Sequence, residues 1–436
     1  MGRKRLLAFK ACIGLGFLLV CGFSRHSAVA AAAPGDEAAK SPVHWGVPWP
    51  EEGKPVYGYP ILPGVETFKI YQATPLTGVY SHHSQIGHFQ DTFFANWSNQ
   101  QWGEDGPGQR VLCSLSPNGR VWRRPFVCFP SMGDMRKPQR SGRVLTAEAW
   151  VVVDGKIYAV AGVNDKPGPT NKIESGYKTT ISGQKRMLSD GRVGWGRVAR
   201  SVAPNGDMGP IFWLVDDPPV PLEGFPQYAD AKDPQLRKVA TEINLFLANP
   251  LHMPAWDFLN HTDRPPSVDG HPMDEPTVYR RRDGVLVRLS RDDGPPKTHR
   301  LYVSLSHDGG KTWSLAEKTD IPDNPAKAVS GTLPNGETYL IGNQIPASAH
   351  GVRDPLVISL SPDGRTFNWS AAIVHGTPPV RYPGLWKDLG FQYPSAIVVG
   401  KAMWVIYSID KEDVAVSRIP LAELGSPKIP GRKRPW

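Results

Sequence analysis

Ser304-Leu-Ser-His-Asp308-Gly-Gly-Lys-Thr-Trp313 reads as a strand, a tight turn with an acidic residue and two glycines, and a Trp that opens the next strand. Asp accepts hydrogen bonds from the turn backbone, Gly takes the positive-φ position, and the aromatic side chain packs the turn against its sheet. The pattern returns as Ser-Leu-Ser-Pro-Asp-Gly at 359–364, followed by Phe367 and Trp369, and as Ser-Leu-Ser-Pro-Asn-Gly at 114–119, followed by Trp122. Ser201 to Gly206 is a weaker fourth copy. Repeated turns of one kind, each between strand-like runs, predict an all-β propeller built of four-stranded blades.

These copies resemble the Asp boxes of the sialidase (neuraminidase) superfamily, and the resemblance covers most of the chain after about residue 75. It implies a BNR-repeat propeller. Asp boxes lie away from the active site in that family, so they speak for the fold and not for chemistry.

Strand patterns outline the blades. Runs at 79–86, 92–97, 110–115 and 121–129 make one, and 147–153, 156–161, 196–202 and 210–214 a second. Residues 216–265 break the rhythm, with apolar residues at helical spacing over 234–248, and are expected to form a helical insertion in an irregular blade. Regular blades resume over 276–313 and 328–374. The last block, 393–419, supplies three strands, and 67–73 from the other end of the domain is expected to complete it, which would lock the ring. The count is six blades, with five or seven allowed.

The propeller is placed at 66–422. Residues 1–30 have the three parts of a secretory signal, with Arg3-Lys4-Arg5, an apolar run and small residues, so a secreted or periplasmic location is expected. Residues 31–65 form a Pro- and Gly-rich arm and 423–436 a basic, Pro-rich tail. The leader carries five basic residues and no acidic one, so without it the net charge falls from +9 to +4. No basic run interleaved with aromatics remains, which argues against nucleic acid, and the apolar run is too short and Gly-interrupted for stable membrane insertion. The mild positive bias suits an anionic oligosaccharide or polysaccharide. Cys113 and Cys128 flank one turn and read either as a pair or as two buried thiols.

By the resemblance, the hairpin from Glu275 to Arg291 is similar to the sialidase strand pair that carries a Glu and the second arginine of a carboxylate-binding triad, with Arg288 or Arg291 in that place. Arg353 matches the third arginine, Tyr393 in Phe-Gln-Tyr-Pro-Ser matches the Tyr nucleophile, and Asp105 falls where the family keeps its acid/base Asp. Arginines hold a carboxylate bidentately, and a neutral Tyr beside a Glu base can attack a crowded, carboxylated anomeric carbon. Where sialidases carry Arg-Ile-Pro, this chain has Tyr80-Ser-His82-His83-Ser-Gln-Ile86, so the first arginine is missing. Arg110 on a neighbouring strand is one substitute; Arg200, with Arg197, Asn343 and Arg143, is another candidate for the cavity.

His82 and His83 are adjacent on a strand and should face opposite sides, leaving at most one toward the centre. That one could act as a base. The layout also resembles propeller polysaccharide lyases, in which His, Tyr and Arg serve removal of a uronate C5 proton. Trp97, Trp102, Trp195 and Trp386 are candidate sugar-stacking or blade-packing residues. No cofactor is expected and no metal, since His88 is too remote to complete an obvious site. Two enzyme readings and a binding-only propeller therefore stand: a sialidase-like glycoside hydrolase, a uronate lyase, or a glycan-binding module.

Overall fold

The computed structural model describes residues 41–104, 108–132, 142–166, 193–215, 228–229, 233–252, 267–346, 351–384 and 387–425. Among them are five four-stranded antiparallel sheets. The first blade is Tyr80–Phe89, Thr92–Gln100, Arg110–Ser116 and Phe126–Phe129, in sheet order. The second is Gly142–Val153, Lys156–Lys166, Val193–Ser201 and Phe212–Trp213. The third runs Met273–Arg280, Leu286–Asp292, Arg300–Ser306 and Glu317–Pro322, and the fourth Val329–Thr332, Thr338–Gly342, Leu356–Ser361 and Trp369–Val374.

The fifth blade joins both ends of the domain: Phe391–Val399, Ala402–Ile409 and Asp413–Pro420 are completed at the outer edge by Glu66–Tyr71. Phe68 pairs with Val416 and Thr67 with Ser417. This is the expected closure.

The predicted turns form. Asn118 Oδ1 accepts from the amides of Arg120 and Val121 at 2.9 and 3.0 Å, and the Trp122 indole donates back to Gly119 O at 2.9 Å. Asp308 and Asp363 repeat the arrangement. Trp313, expected to open a strand, stays in its turn with its indole on Gly310 O, and the fourth strand starts at Glu317. Gly119 has φ +71°, and a Cβ on it would lie 2.5 Å from the Trp404 ring of the fifth blade, so the glycine is needed both for the turn and for the blade contact.

Alternation of apolar residues gives each central strand two buried faces, and blades stack through them. Phe94, Val111 and Leu115 of the first blade pack on Leu145, Ala159 and Val198 of the second. Trp97 and Leu112 meet Trp404 and Val416 of the fifth. The fifth and fourth share Met403, Val405, Ile341 and Ile358, and the fourth and third share Leu340, Leu289 and Val303.

The second blade explains the blade count. Its other face, Val151, Tyr158, Val160, Ala199 and Phe212, is covered by Ala240, Ile243 and Leu247 of the helix Pro234–Ala248. The expected helix is there, capped by Asp233 and begun by a proline. It lies on the second blade, and five sheets are found among the described residues, within the allowed range. Residues of the arm hug the fourth blade: His44 and Trp45 pair with Thr366 and Phe367, and Leu62 N donates to Ala372 O. Cys113 and Cys128 are buried thiols.

Candidate active site

Inner strands from all five blades pack side by side: Phe391–Val399 against Tyr80–Phe89 and Val329–Thr332, Tyr80–Phe89 against Gly142–Val153, and Met273–Arg280 against Val329–Thr332. Three of them break register at the same stage, between His82 and Gln85, between Asp274 and Thr277, and between Gln392 and Ser395. Each break holds a non-glycine residue in the left-handed region: His83 at φ +56°, Glu275 at +47° and Tyr393 at +53°. Such conformations cost about 1–3 kcal/mol each and persist where the surroundings impose them. The bulges re-aim these side chains, which a regular strand would send alternately to either face.

The result is a compact polar cluster. Tyr393 Oη donates to Glu275 Oε1 at 2.5 Å, and Arg291 Nη1 donates to Glu275 Oε2 at 2.7 Å and to Tyr393 Oη at 2.9 Å. The Tyr393 residue is 4% exposed, while the side chains of Glu275 and Arg291 keep 13% and 17% of their surface in solvent. Arg353 has its Cζ 5.9 Å from the centre of the Tyr393 ring and is held by Gln392 Oε1 at 2.6 Å, Pro325 O at 2.7 Å and Asp388 at 2.9 Å. Lys327 fixes the backbone behind Tyr393 by donating to Pro394 O at 2.6 Å.

Burial pushes the Tyr393 hydroxyl well above its ordinary pKa, with Arg291 opposing, so the phenol is neutral until something removes its proton. Glu275 is also raised by burial, against the pull of Arg291. Burial would lower Arg291, but Glu275 and Tyr393 hold it firmly charged. Asp323, fully buried near the two arginines, is pushed up by burial to about 8.

Both histidines reach the cluster, against the expectation that only one could. Their ring centres are 4.7 Å apart, and they lie 4.0 Å (His82) and 5.7 Å (His83) from the centre of the Tyr393 ring. The bulge is the reason. His82 is completely buried with Nδ1 2.7 Å from Ser408 Oγ, and burial followed by Lys411 drives its pKa well down.

Three candidates are elsewhere. Arg288 lies three residues from Arg291 on one strand and so faces the other side, where its guanidinium stacks on the Trp313 ring at 4.4 Å; Arg291 is the site arginine. Arg110 is bound by Asn99 Oδ1 and Thr77 O. Arg200 ties Gly209 O of its own blade to Cys128 O of the first. Of the polar companions, Asn343 orders backbone by donating to the carbonyls of Arg353, Pro355 and Phe391, and Arg197 pairs with buried Glu148 at 2.6 Å. Trp97 is a packing residue and Trp102 is exposed. Asp105 and Trp386 fall outside the described residues, as does the side chain of Trp195.

Four residues were not picked out from sequence: Glu104, Lys411, Lys327 and Asp323. Lys411 Nζ sits 2.7 Å from Glu104 Oε2 and 5.9 Å from the Tyr393 ring centre. Its turn, Asp410-Lys411-Glu412, has two positive-φ residues and no glycine; Asp410, which tolerates the left-handed region, is its turn former.

Comparison with known proteins gives the same class. Residues 256–406 match the BNR repeat-like domain, and residues 69–265 match an N-terminal beta propeller family. Among solved structures, one described as a sialidase superposes with a TM-score of 0.62 at 22% identity, over 87% of this chain and 35% of that chain. A protein of unknown function from Dyadobacter fermentans does so with a TM-score of 0.50 at 14% identity, over 82% of this chain and 99% of that one. The chain thus spans about a third of the length of the sialidase it matches. No curated protein matches its sequence. The chain folds as a β-propeller similar to that of the sialidase structure, and it contains a BNR repeat-like domain over residues 256–406. No helix among the described residues is long and apolar enough to cross a membrane.

Proposed function

We propose that the protein is an exported, exo-acting glycoside hydrolase of the sialidase type, acting on an extracellular, anionic glycan. The observation that carries the reading is the Tyr393–Glu275 hydrogen bond of 2.5 Å, with Arg291 donating to both partners. Tyr393 Oη attacks the anomeric carbon as its proton passes to Glu275 Oε1, and the bond to the leaving oxygen breaks. Asp105, next in sequence to Glu104, gives that oxygen its proton. Water then cleaves the tyrosyl–sugar bond, with Asp105 taking a proton from the water and Glu275 returning one to Tyr393.

A phenol suits a substrate whose anomeric carbon bears a carboxylate, because an anionic nucleophile would be repelled. Arg291 and Arg353 flank Tyr393 as the carboxylate clamp. Export rests on the leader at 1–30.

A uronate lyase needs a base in contact with substrate. His82 suits that poorly, since its ring lies buried against Tyr393; His83 is the remaining candidate. The readings separate in one assay, in which the mature protein is incubated with a panel of sialosides and uronate polysaccharides. Released sugar without ultraviolet change is expected. Absorbance growing at about 232 nm, from a new double bond, would indicate the lyase instead, and binding without either signal would indicate a non-catalytic propeller.

A further inference from the structure

We propose that His82, His83 and Glu104 form a binding site for a divalent transition-metal ion of the zinc type. One ligand atom from each of the three lies within 4.8 Å of the others. An ion with bonds of about 2.1 Å would draw these atoms inward by roughly an ångström.

The histidines are already oriented for ligation. His82 Nδ1 is 2.7 Å from Ser408 Oγ and His83 Nδ1 is 3.1 Å from Ser98 Oγ, so both rings are held through the same nitrogen. Metal-binding histidines are held in this way, with the second nitrogen tied to fix tautomer and ring plane. His82 Nε2 is fully buried and has no hydrogen-bond partner among the described residues, an arrangement that costs free energy unless something occupies it. His83 Nε2 faces Glu104 Oε1 at 3.7 Å.

Neighbouring residues of a regular strand cannot share an ion, because they face opposite ways. The left-handed His83 and the bulge after His82 remove that obstacle. Two imidazoles and one carboxylate leave a coordination position open, as catalytic zinc sites do. The ion would lie beside Tyr393, where its open position can take an anionic oxygen.

The neighbouring charges set the affinity. Tyr80 Oη donates to Glu104 Oε1 at 3.1 Å, and Lys411 holds Glu104 Oε2 at 2.7 Å while also lying 3.4 Å from Asp388. The ion therefore competes with one ammonium group, which has a second carboxylate to turn to. Arg353 and Lys327 add weaker repulsion at His82.

Titration of the metal-free mature protein with ZnCl2 by calorimetry, and with CoCl2 by visible absorption, tests this without any substrate. One ion per chain, bound more tightly than about 10 µM, is expected. Glu104→Gln and His83→Asn, whose side chains keep 17% and 9% of their surface in solvent, should each weaken binding at least about tenfold with unchanged circular dichroism. No saturable binding below about 1 mM, or the same affinity in both variants as in the parent, would overturn the proposal. Using two variants, one of them at the less buried Glu104, keeps the test valid if substitution of the fully buried His82 prevents folding.

Discussion

Tyr393→Phe is expected to lower turnover of whatever sugar the parent protein releases by on the order of 10³-fold or more, with the loss in kcat. The phenyl ring keeps its contact with His82, so the substitution removes one oxygen and little else. That oxygen is the donor to Glu275 at 2.5 Å and the acceptor from Arg291 at 2.9 Å. Its loss leaves Glu275 Oε1 short of a donor, which costs about 1–3 kcal/mol of stability. Loss of stability on that scale leaves the protein folded at assay temperature, so activity and folding separate in the experiment. Arg288→Met is the matched control. Arg288 lies across the sheet on Trp313, so its replacement should leave turnover near the parent value. Kinetics on the released sugar, with melting curves for both variants, checks the pair; an active Phe variant would remove Tyr393 from the chemistry.

Asp323→Asn is expected to make the protein more stable at alkaline pH and to change it little in acid. Burial pushes the Asp323 carboxyl up to about 8, whereas in the unfolded chain it titrates at about 4. Between those values the folded state holds a proton that the unfolded state has released. Folding is then penalised more as pH rises, by up to about 1.4 kcal/mol per pH unit across the window from about 4 to about 8. Below that window both states are protonated and the penalty vanishes. Neither carboxylate oxygen has a hydrogen-bond partner among the described residues, so asparagine replaces it at similar volume without the titration. Melting temperatures of parent and variant measured from pH 4 to 9 should diverge steadily and then level off above pH 8. A constant difference would show that Asp323 does not titrate in this range. Because ionised Asp323 would offset the charge of nearby Arg291 and Arg353, the parent should also bind an anionic substrate more weakly above pH 8.

The fold was legible because its turns are chemically demanding. Asp308, Asp363 and Asn118 each occupy a position that needs a side-chain acceptor ahead of a positive-φ glycine, and such needs leave a mark in sequence. The strand from Glu66 to Tyr71 was legible from its alternation and from the three-strand block that lacked a partner. Blade number was harder to read, since a helix covering one sheet face leaves the same gap in a strand pattern as an irregular blade would.

The cluster was legible where the resemblance singled residues out, since Glu275, Tyr393 and Arg353 do lie together. It failed where the answer depended on register. Whether Arg288 or Arg291 points inward turns on strand parity next to a bulge, and both histidines face the same way only because His83 is left-handed. Glu104 and Lys411 come from loops and meet across the two chain ends of the ring, which no local pattern reveals.

The most direct test of the central claim is to quench the protein in acid during turnover of an active substrate and measure its intact mass. The account predicts a species heavier by one glycosyl residue, which peptide mapping places on Tyr393 and which Tyr393→Phe abolishes. Steady product release with unmodified protein throughout, or a label on another residue, would contradict it.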